Sequence, residues 1–300
     1  MAAAAEASDH FESGAVRSSF RQPIRAVKRI RTIRTSCVSE LFEGEDGESY
    51  VVKPRSQPAG ARLLVNEWVV SGLFKYFGLC VPRVATITID TDLIMSSFPQ
   101  TKDAWLSADD RQPIYFGYQL PVRENLHSIY DFLPDQLASS VINSTDCIGA
   151  LAIDRWIGNV TSRRYLFTRG QRRLWRTPIM LVGQGRGFVA FMVEHGKAFN
   201  GGAWELTDVC PTPSIFTRPY LRSVTGIASF ERWIGMAQAM SPSVLQNLLL
   251  SVPPQWLPVQ ERNQLADLLD ALYVRRSEIP GLLQAVREAH PLIFPSWPSR

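Results

Sequence analysis

Cysteine is scarce in this 300-residue chain, and the few it has lie far apart. Cys37, Cys80, Cys147 and Cys210 form no C-x-x-C pair, and Cys80 and Cys147 have apolar neighbours in sequence. That spacing excludes a disulfide framework and a zinc-thiolate centre, and it predicts buried free thiols. Long apolar runs are missing as well: no stretch approaches the ~18 residues that a spanning helix requires, so no membrane span is expected. A mean hydropathy of −0.06 with 45% hydrophobic residues excludes a disordered class and predicts a soluble chain with a substantial core. The amino terminus, MAAAAEASDHFESGAVRSS, lacks an apolar stretch after a basic start. It reads as a loose tail rather than a secretory signal, which makes a cytoplasmic protein the expectation. Internal repeats are absent.

Charge of one sign is not strongly in excess, at a formal +4, but it is unevenly spread. Arg17, Arg21, Arg25, Lys28, Arg29, Arg31 and Arg34 crowd one segment; Arg163, Arg164, Arg169, Arg172, Arg173 and Arg176 crowd another. Such clusters attract phosphates of nucleic acid or of a nucleotide. Aromatic residues do not interleave with them as stacking platforms, so a solvated strand or hairpin face is the preferred reading.

What is present has a definite order. The stretch AVKRIRTIRTSCVSELFE alternates as a strand, a break and a second strand; EGEDGE supplies a turn with Gly44 and Gly47, and SYVVKP gives a third strand ending at Lys53. RLLVNEWVVSGLFKYFG then has the period of an amphipathic helix, with Glu67 near its start and Gly78 at its end. LCVPRVATITID is a further strand, and Leu93 to Met95 are expected to continue the sheet. The stretch 96–119 reads as loop, SIYDFLPDQLASSVINSTDCIGALAIDRWIG as two helices separated near Asn143, and everything after 213 as amphipathic helices punctuated by Pro and Gly. The expected division is a tail over 1–20, a small β-rich lobe over 21–100, a larger helical lobe over 101–290 and a tail over 291–300.

The central stretch 149–200 carries the chemistry. An apolar helix leads into a loop with Asp154 and Asn159, and a strand over 188–193 delivers Glu194-His195-Gly196. Phosphoryl transfer needs an aspartate to position the acceptor hydroxyl, an asparagine on a metal ion and an acidic residue after a strand to hold Mg²⁺ against the phosphates. A strand Lys and a following-helix Glu can meet as the ion pair that sets Lys53 on the α- and β-phosphates. Each feature has a blander reading: an ordinary hairpin for Gly44 and Gly47, a surface lysine, a helix glutamate, and a hydrogen-bonding anchor for His195.

Taken in order, Tyr50-Val-Val-Lys53, Asn66-Glu67, Gly78 to Pro82, the D-x-W-x-x-N run at Asp154 to Asn159, and His195-Gly-x-Ala-Phe-Asn200 resemble the HipA-like kinase family, whose type member is a bacterial toxin kinase. Further matches at Gly201 to Trp204 and around Tyr220, Gly226 and Trp233 extend the resemblance over roughly residues 25 to 288. It implies an α+β, two-lobed protein-kinase-like fold that binds ATP with Mg²⁺ and, in active members, phosphorylates Ser or Thr. It also leaves an antitoxin-like protein or a nucleic acid as partner.

Two departures stand out. Related sequences place N-x-D where this chain has Asn159-Val160-Thr161, which puts Thr161 at the catalytic aspartate's position and makes Asp154 a structural carboxylate at a helix end, paired with an Arg. The competing register makes Asp154 catalytic and Asn159 a metal ligand by spacing alone; the former is preferred, because a motif match without structural context is unreliable. The second departure is Glu194 where relatives carry Asp, since Mg²⁺ demands near-ideal octahedral geometry at about 2.0–2.1 Å. The sequence therefore predicts an ATP-dependent kinase weakened at its catalytic position, with a degenerate nucleotide-binding scaffold as the alternative and a nucleic-acid-binding module as a third.

Overall fold

The computed structural model describes residues 22–34, 38–54, 60–100, 102–106, 113–121, 128–171, 186–214 and 217–298. Five strands close a small barrel: β1 (Ile24–Arg34), β2 (Val38–Gly44), β3 (Ser49–Lys53), β4 (Val84–Ile89) and β5 (Ile114–Gln119), in the order β1-β2-β3-β5-β4. Neighbours are antiparallel except at the closure, where β1 runs parallel to β4 with Ile24 opposite Ile87. β1 is long and arginine-rich, and register shifts between Ala26 and Lys28 and between Arg29 and Arg31 bend it around the closure.

The two-residue period of β3 divides its side chains. Tyr50 and Val52 point inward with Phe42, Ile87 and Tyr115, where helix α2 (Thr91–Ser97) and the stacked Phe98 and Trp105 rings plug the interior. Val51 and Lys53 point the other way, onto helix α1 (Arg62–Tyr76). That alternation alone sends Lys53 toward Glu67.

The second part of the chain is mainly helical. Helix α3 (Ser144–Trp156) lies against a three-stranded sheet of order β6 (Ile129–Tyr130), β7 (Arg164–Gln171) and β8 (Arg186–Val193). Around it pack α4 (Arg218–Leu221), α5 (Glu231–Gln238), α6 (Pro242–Leu250), α7 (Val259–Arg275) and α8 (Ile279–Ala289). α3 is buried along most of its length because its faces carry Cys147, Ala150, Ile153 and Trp156, and Gly149 lets the Trp233 ring sit against its backbone. The lobes share one core. Trp256 donates from Nε1 to the Ile114 carbonyl of β5, and its ring meets Trp68 of α1 edge-on at 5.7 Å.

Several expectations are corrected. Residues 91–97 form helix α2, not a continuation of the sheet. Within the stretch read as loop, Ile114–Gln119 is β5, which joins β3 to β4, so the barrel extends past position 100. The first of the two helices expected around Asn143 is instead the short strand β6 and a 3-10 turn over Asp135–Ser140. The end of the chain is no loose tail as far as it is described: Phe294 and Trp297 are buried, and Arg287 donates to the Trp297 carbonyl. Cys80, Cys147 and Cys210 are free thiols, with burial pushing all three up in pKa, while Cys37 lies outside the described residues. No helix among the described residues is long and apolar enough to cross a membrane.

Candidate active site

A cavity of about 440 Å³ lies between the barrel and the helical lobe, a volume ordinary for a small-molecule pocket. Its back wall is Lys53 from β3 and Glu67 from α1; its floor includes Glu194 and Gly196 after β8, and Thr161 and Ser162 after α3. Lys53 and Glu67 form a buried ion pair, with side chains 6% and 2% exposed.

Glu67 does more than hold Lys53. Its Oε2 accepts from the His195 amide at 2.9 Å and its Oε1 from the Gly196 amide at 3.0 Å. One turn of α1 thus fixes both the barrel lysine and the Glu194-His195-Gly196 segment. Asn66 completes the tether: its Nδ2 donates to the carbonyls of Gly196, Ala198 and Gly201, and its Oδ1 accepts from Trp204 Nε1. A β-carbon at position 196 would meet Glu67 Oε1 at 3.3 Å, which explains the glycine.

Glu194 is 8% exposed and has φ of 61°, in the left-handed region that an L residue occupies at a cost of roughly 1–2 kcal/mol. Backbone strain of this kind concentrates at functional sites. It turns the chain sharply at the end of β8 and brings the Glu194 carboxylate to the cavity.

Asp154 has a different fate. It lies on the last turn of α3, 4% exposed, and the Arg163 guanidinium holds both its oxygens, Nε to Oδ2 at 3.0 Å and Nη2 to Oδ1. Asn159 Nδ2 also donates to Asp154 Oδ1, at 3.0 Å. Asn159 Oδ1 accepts from the Thr161 amide and hydroxyl, both at 3.3 Å. Asp154 and Asn159 are therefore adjacent, as their spacing suggested, but neither side chain lines the large cavity, whereas Thr161 does.

Arg163 was read as part of a solvated basic face; it is 5% exposed. Burial alone pushes its pKa down, but the Asp154 charge and hydrogen bond outweigh it and raise it. Beyond Asp154, Arg163 Nη1 donates to the Val193 carbonyl at 3.2 Å and to His195 Nδ1 at 2.7 Å, and the guanidinium stacks 4.7 Å from the Phe74 ring centre. Burial, then Arg163 and Lys53, hold His195 well below the usual imidazole pKa, so the ring is neutral. Accepting at Nδ1, it keeps its proton on Nε2, which makes no hydrogen bond. It is an anchor, not a base.

Gly44 and Gly47 sit at the β2–β3 hairpin, where the Gly47 amide donates to the Gly44 carbonyl at 2.9 Å; neither lines the cavity. Of the basic clusters, Arg25, Lys28 and Arg31 are exposed on β1, Arg29 pairs with Glu40 at 3.0 Å, and Arg17, Arg21, Arg172, Arg173 and Arg176 lie outside the described residues. Arg163 as the partner of Asp154 is what sequence reasoning did not single out. Only its place in a run of arginines was visible.

The site presents Lys53 to the cavity already paired with Glu67. For a divalent ion it offers little more than the Glu194 carboxylate, since Glu67 is taken up by Lys53 and two amides, and Asn159 by Thr161. Among the described residues no three His, Cys, Asp or Glu side chains converge as a metal cage.

These features fit what the chain is similar to. A family model described as HipA-like kinase matches residues 27–160, which covers the barrel, α1 and the loop through Asn159. The resemblance read from the motifs therefore holds over that stretch, which is a little under half of the chain. No curated protein matches. Two solved structures of the Golgi casein kinase are similar at 10% identity: one with TM-score 0.43, covering 88% of this chain and 72% of its own, and one with Mn/ADP bound, with TM-score 0.44, covering 90% and 74%. At that distance the likeness carries no argument about the site.

Proposed function

We propose that this protein is a nucleotide-binding, kinase-like module that has largely lost phosphoryl transfer, with the two lobes dividing after Leu120. The observation that supports this reading best is the exchange of roles in the loop after α3: Thr161 lines the cavity, while the nearest aspartate, Asp154, is buried in its pair with Arg163. A threonine hydroxyl can neither take a proton from an acceptor nor hold it by charge. Lys53, oriented by Glu67, would hold the α- and β-phosphates of ATP. The cavity fits a nucleotide carrying its own Mg²⁺, with Glu194 as the single protein carboxylate on the ion, which suits Mg²⁺ because it is commonly bound by one or two carboxylates plus phosphates.

Two measurements test this. Saturation with Mg-ATP at ~100 times the dissociation constant should stabilise the fold by ~2.7 kcal/mol, and Lys53→Ala should abolish most of the resulting rise in Tm. Transfer from labelled ATP to protein should be weak in wild type and should rise when Thr161→Asp and Glu194→Asp are combined. Strong wild-type transfer that Asp154→Asn eliminates would overturn the reading in favour of an active Ser/Thr-type kinase.

A further inference from the structure

The cavity carries more positive charge at its mouth than its back wall explains. Arg164 at the start of β7, Lys197 after β8 and Arg218 at the start of α4 come from three separate elements, and all line the same opening. All three are exposed, and among the described residues none makes an ion pair. Their convergence is set by the backbone. The Ser162 hydroxyl donates to the Thr212 carbonyl at 2.7 Å, the Val160 amide donates to the Lys197 carbonyl at 3.3 Å, and Thr217 Oγ1 donates to the Ser214 carbonyl at 2.6 Å. Thr161, Ser162, Thr212 and Pro213 line the same cavity and add hydroxyls and a small apolar group.

We propose that this mouth is a docking site for an anionic peptide segment of a protein partner, one bearing clustered Asp or Glu side chains or phosphorylated residues. The proposal rests on the nucleotide-cleft reading and deepens it by naming the partner at the same cleft. Two guanidiniums suit carboxylate or phosphate groups, which they can grip with paired donors. A peptide fits better than a nucleic acid, because among the described residues no aromatic ring lines the opening on which bases could stack. Arg164, Lys197 and Arg218 are exposed where Lys53 and Glu67 are buried, so a peptide on the three cations leaves Lys53 to the nucleotide.

The test is fluorescence anisotropy of the full chain with three labelled peptides of equal length: one with six glutamates, one with phosphoserines in place of two of them, and one with glutamines throughout. The anionic peptides should bind, and the glutamine peptide should bind about tenfold more weakly or worse. Arg164→Glu with Arg218→Glu should lower the affinity for the anionic peptides by about tenfold or more, because both attractions become repulsions. Both positions are exposed, so the variant should keep the wild-type Tm in the absence of ligand. Equal binding of the glutamine peptide, an unchanged affinity after charge reversal, or displacement of the peptides by a single-stranded oligonucleotide at lower concentration would each overturn the proposal. Peptide binding without any Mg-ATP shift would sink the nucleotide reading and leave the docking site standing. A shift with Mg-ATP but no peptide binding would do the reverse.

Discussion

Replacing Asp154 by alanine separates a structural carboxylate from a catalytic one. In the native chain the Asp154 and Arg163 side chains are 6% and 3% exposed, and the aspartate accepts two hydrogen bonds from the guanidinium and one from Asn159. Alanine leaves the Arg163 charge in the interior with no carboxylate in contact: its remaining partners are the Val193 and Glu194 carbonyls, the neutral His195 ring and the face of Phe74, while Glu67 acts on it only through space. Removing one member of a buried pair is destabilising by about 3–5 kcal/mol. At about 2–3 °C per kcal/mol for a chain of this size, Tm should fall by roughly 6–15 °C. Urea denaturation should show the same loss as a lower midpoint at unchanged slope. Combining Asp154→Leu with Arg163→Met should recover a substantial part of it, because apolar side chains replace the pair as a unit. A catalytic carboxylate behaves oppositely, since removing it leaves stability alone or raises it while activity disappears. An Asp154→Ala protein that melts within about 2 °C of wild type would refute the structural role.

The neutral His195 predicts a pH dependence. Its folded pKa is depressed, so below the unfolded value of about 6.5 the unfolded chain binds a proton that the folded chain does not, and stability falls as pH drops. Between pH 6.5 and 5.5 this group should remove about 1 kcal/mol, and His195→Asn should flatten that part of the stability profile. Glu194→Gly should relieve the left-handed backbone and stabilise the fold by about 1 kcal/mol, while weakening the Mg²⁺ dependence of ATP binding. A lower melting temperature for that variant would show that the strain argument is wrong.

Much of the amino-terminal lobe was legible because its signals are local. The strand and helix over Tyr50 to Lys53 and Arg62 to Tyr76 lie where the sequence pattern put them, but β3 is buried on both faces and α1 around most of its circumference, so α1 is not the amphipathic helix expected; the alternation along β3 is what turns Lys53 toward Glu67. β5 was missed because Ile114–Gln119 is short and stands among Pro and Gly residues; its place follows from pairing on both sides with β3 and β4, a nonlocal fact. Leu93 to Met95 look like strand residues, yet only Ile94 of α2 is fully buried, and the turn it makes is what plugs the barrel. The spacing of Asp154 and Asn159 matches a kinase catalytic loop, and the two side chains do meet. It did not reveal which of Asp154 and Thr161 faces the cavity, because that depends on Arg163 reaching back from the start of β7. The cavity mouth is likewise assembled from three distant segments, and no periodicity signals such an encounter.

The paired Asn66 and Glu67 have a kinetic consequence. Together they accept or donate six hydrogen bonds to the segment 195–204, so the helix beside the barrel is tied to the loop on the far side of the slot. Prising the lobes apart would break all of them at once, at a net cost of roughly 0.5–1.5 kcal/mol each after water takes their place. Ligand entry and exit should therefore proceed through a slot of fixed width, at rates governed by diffusion past the mouth rather than by a slow opening motion. Nucleotide exchange should then respond to ionic strength far more than to temperature.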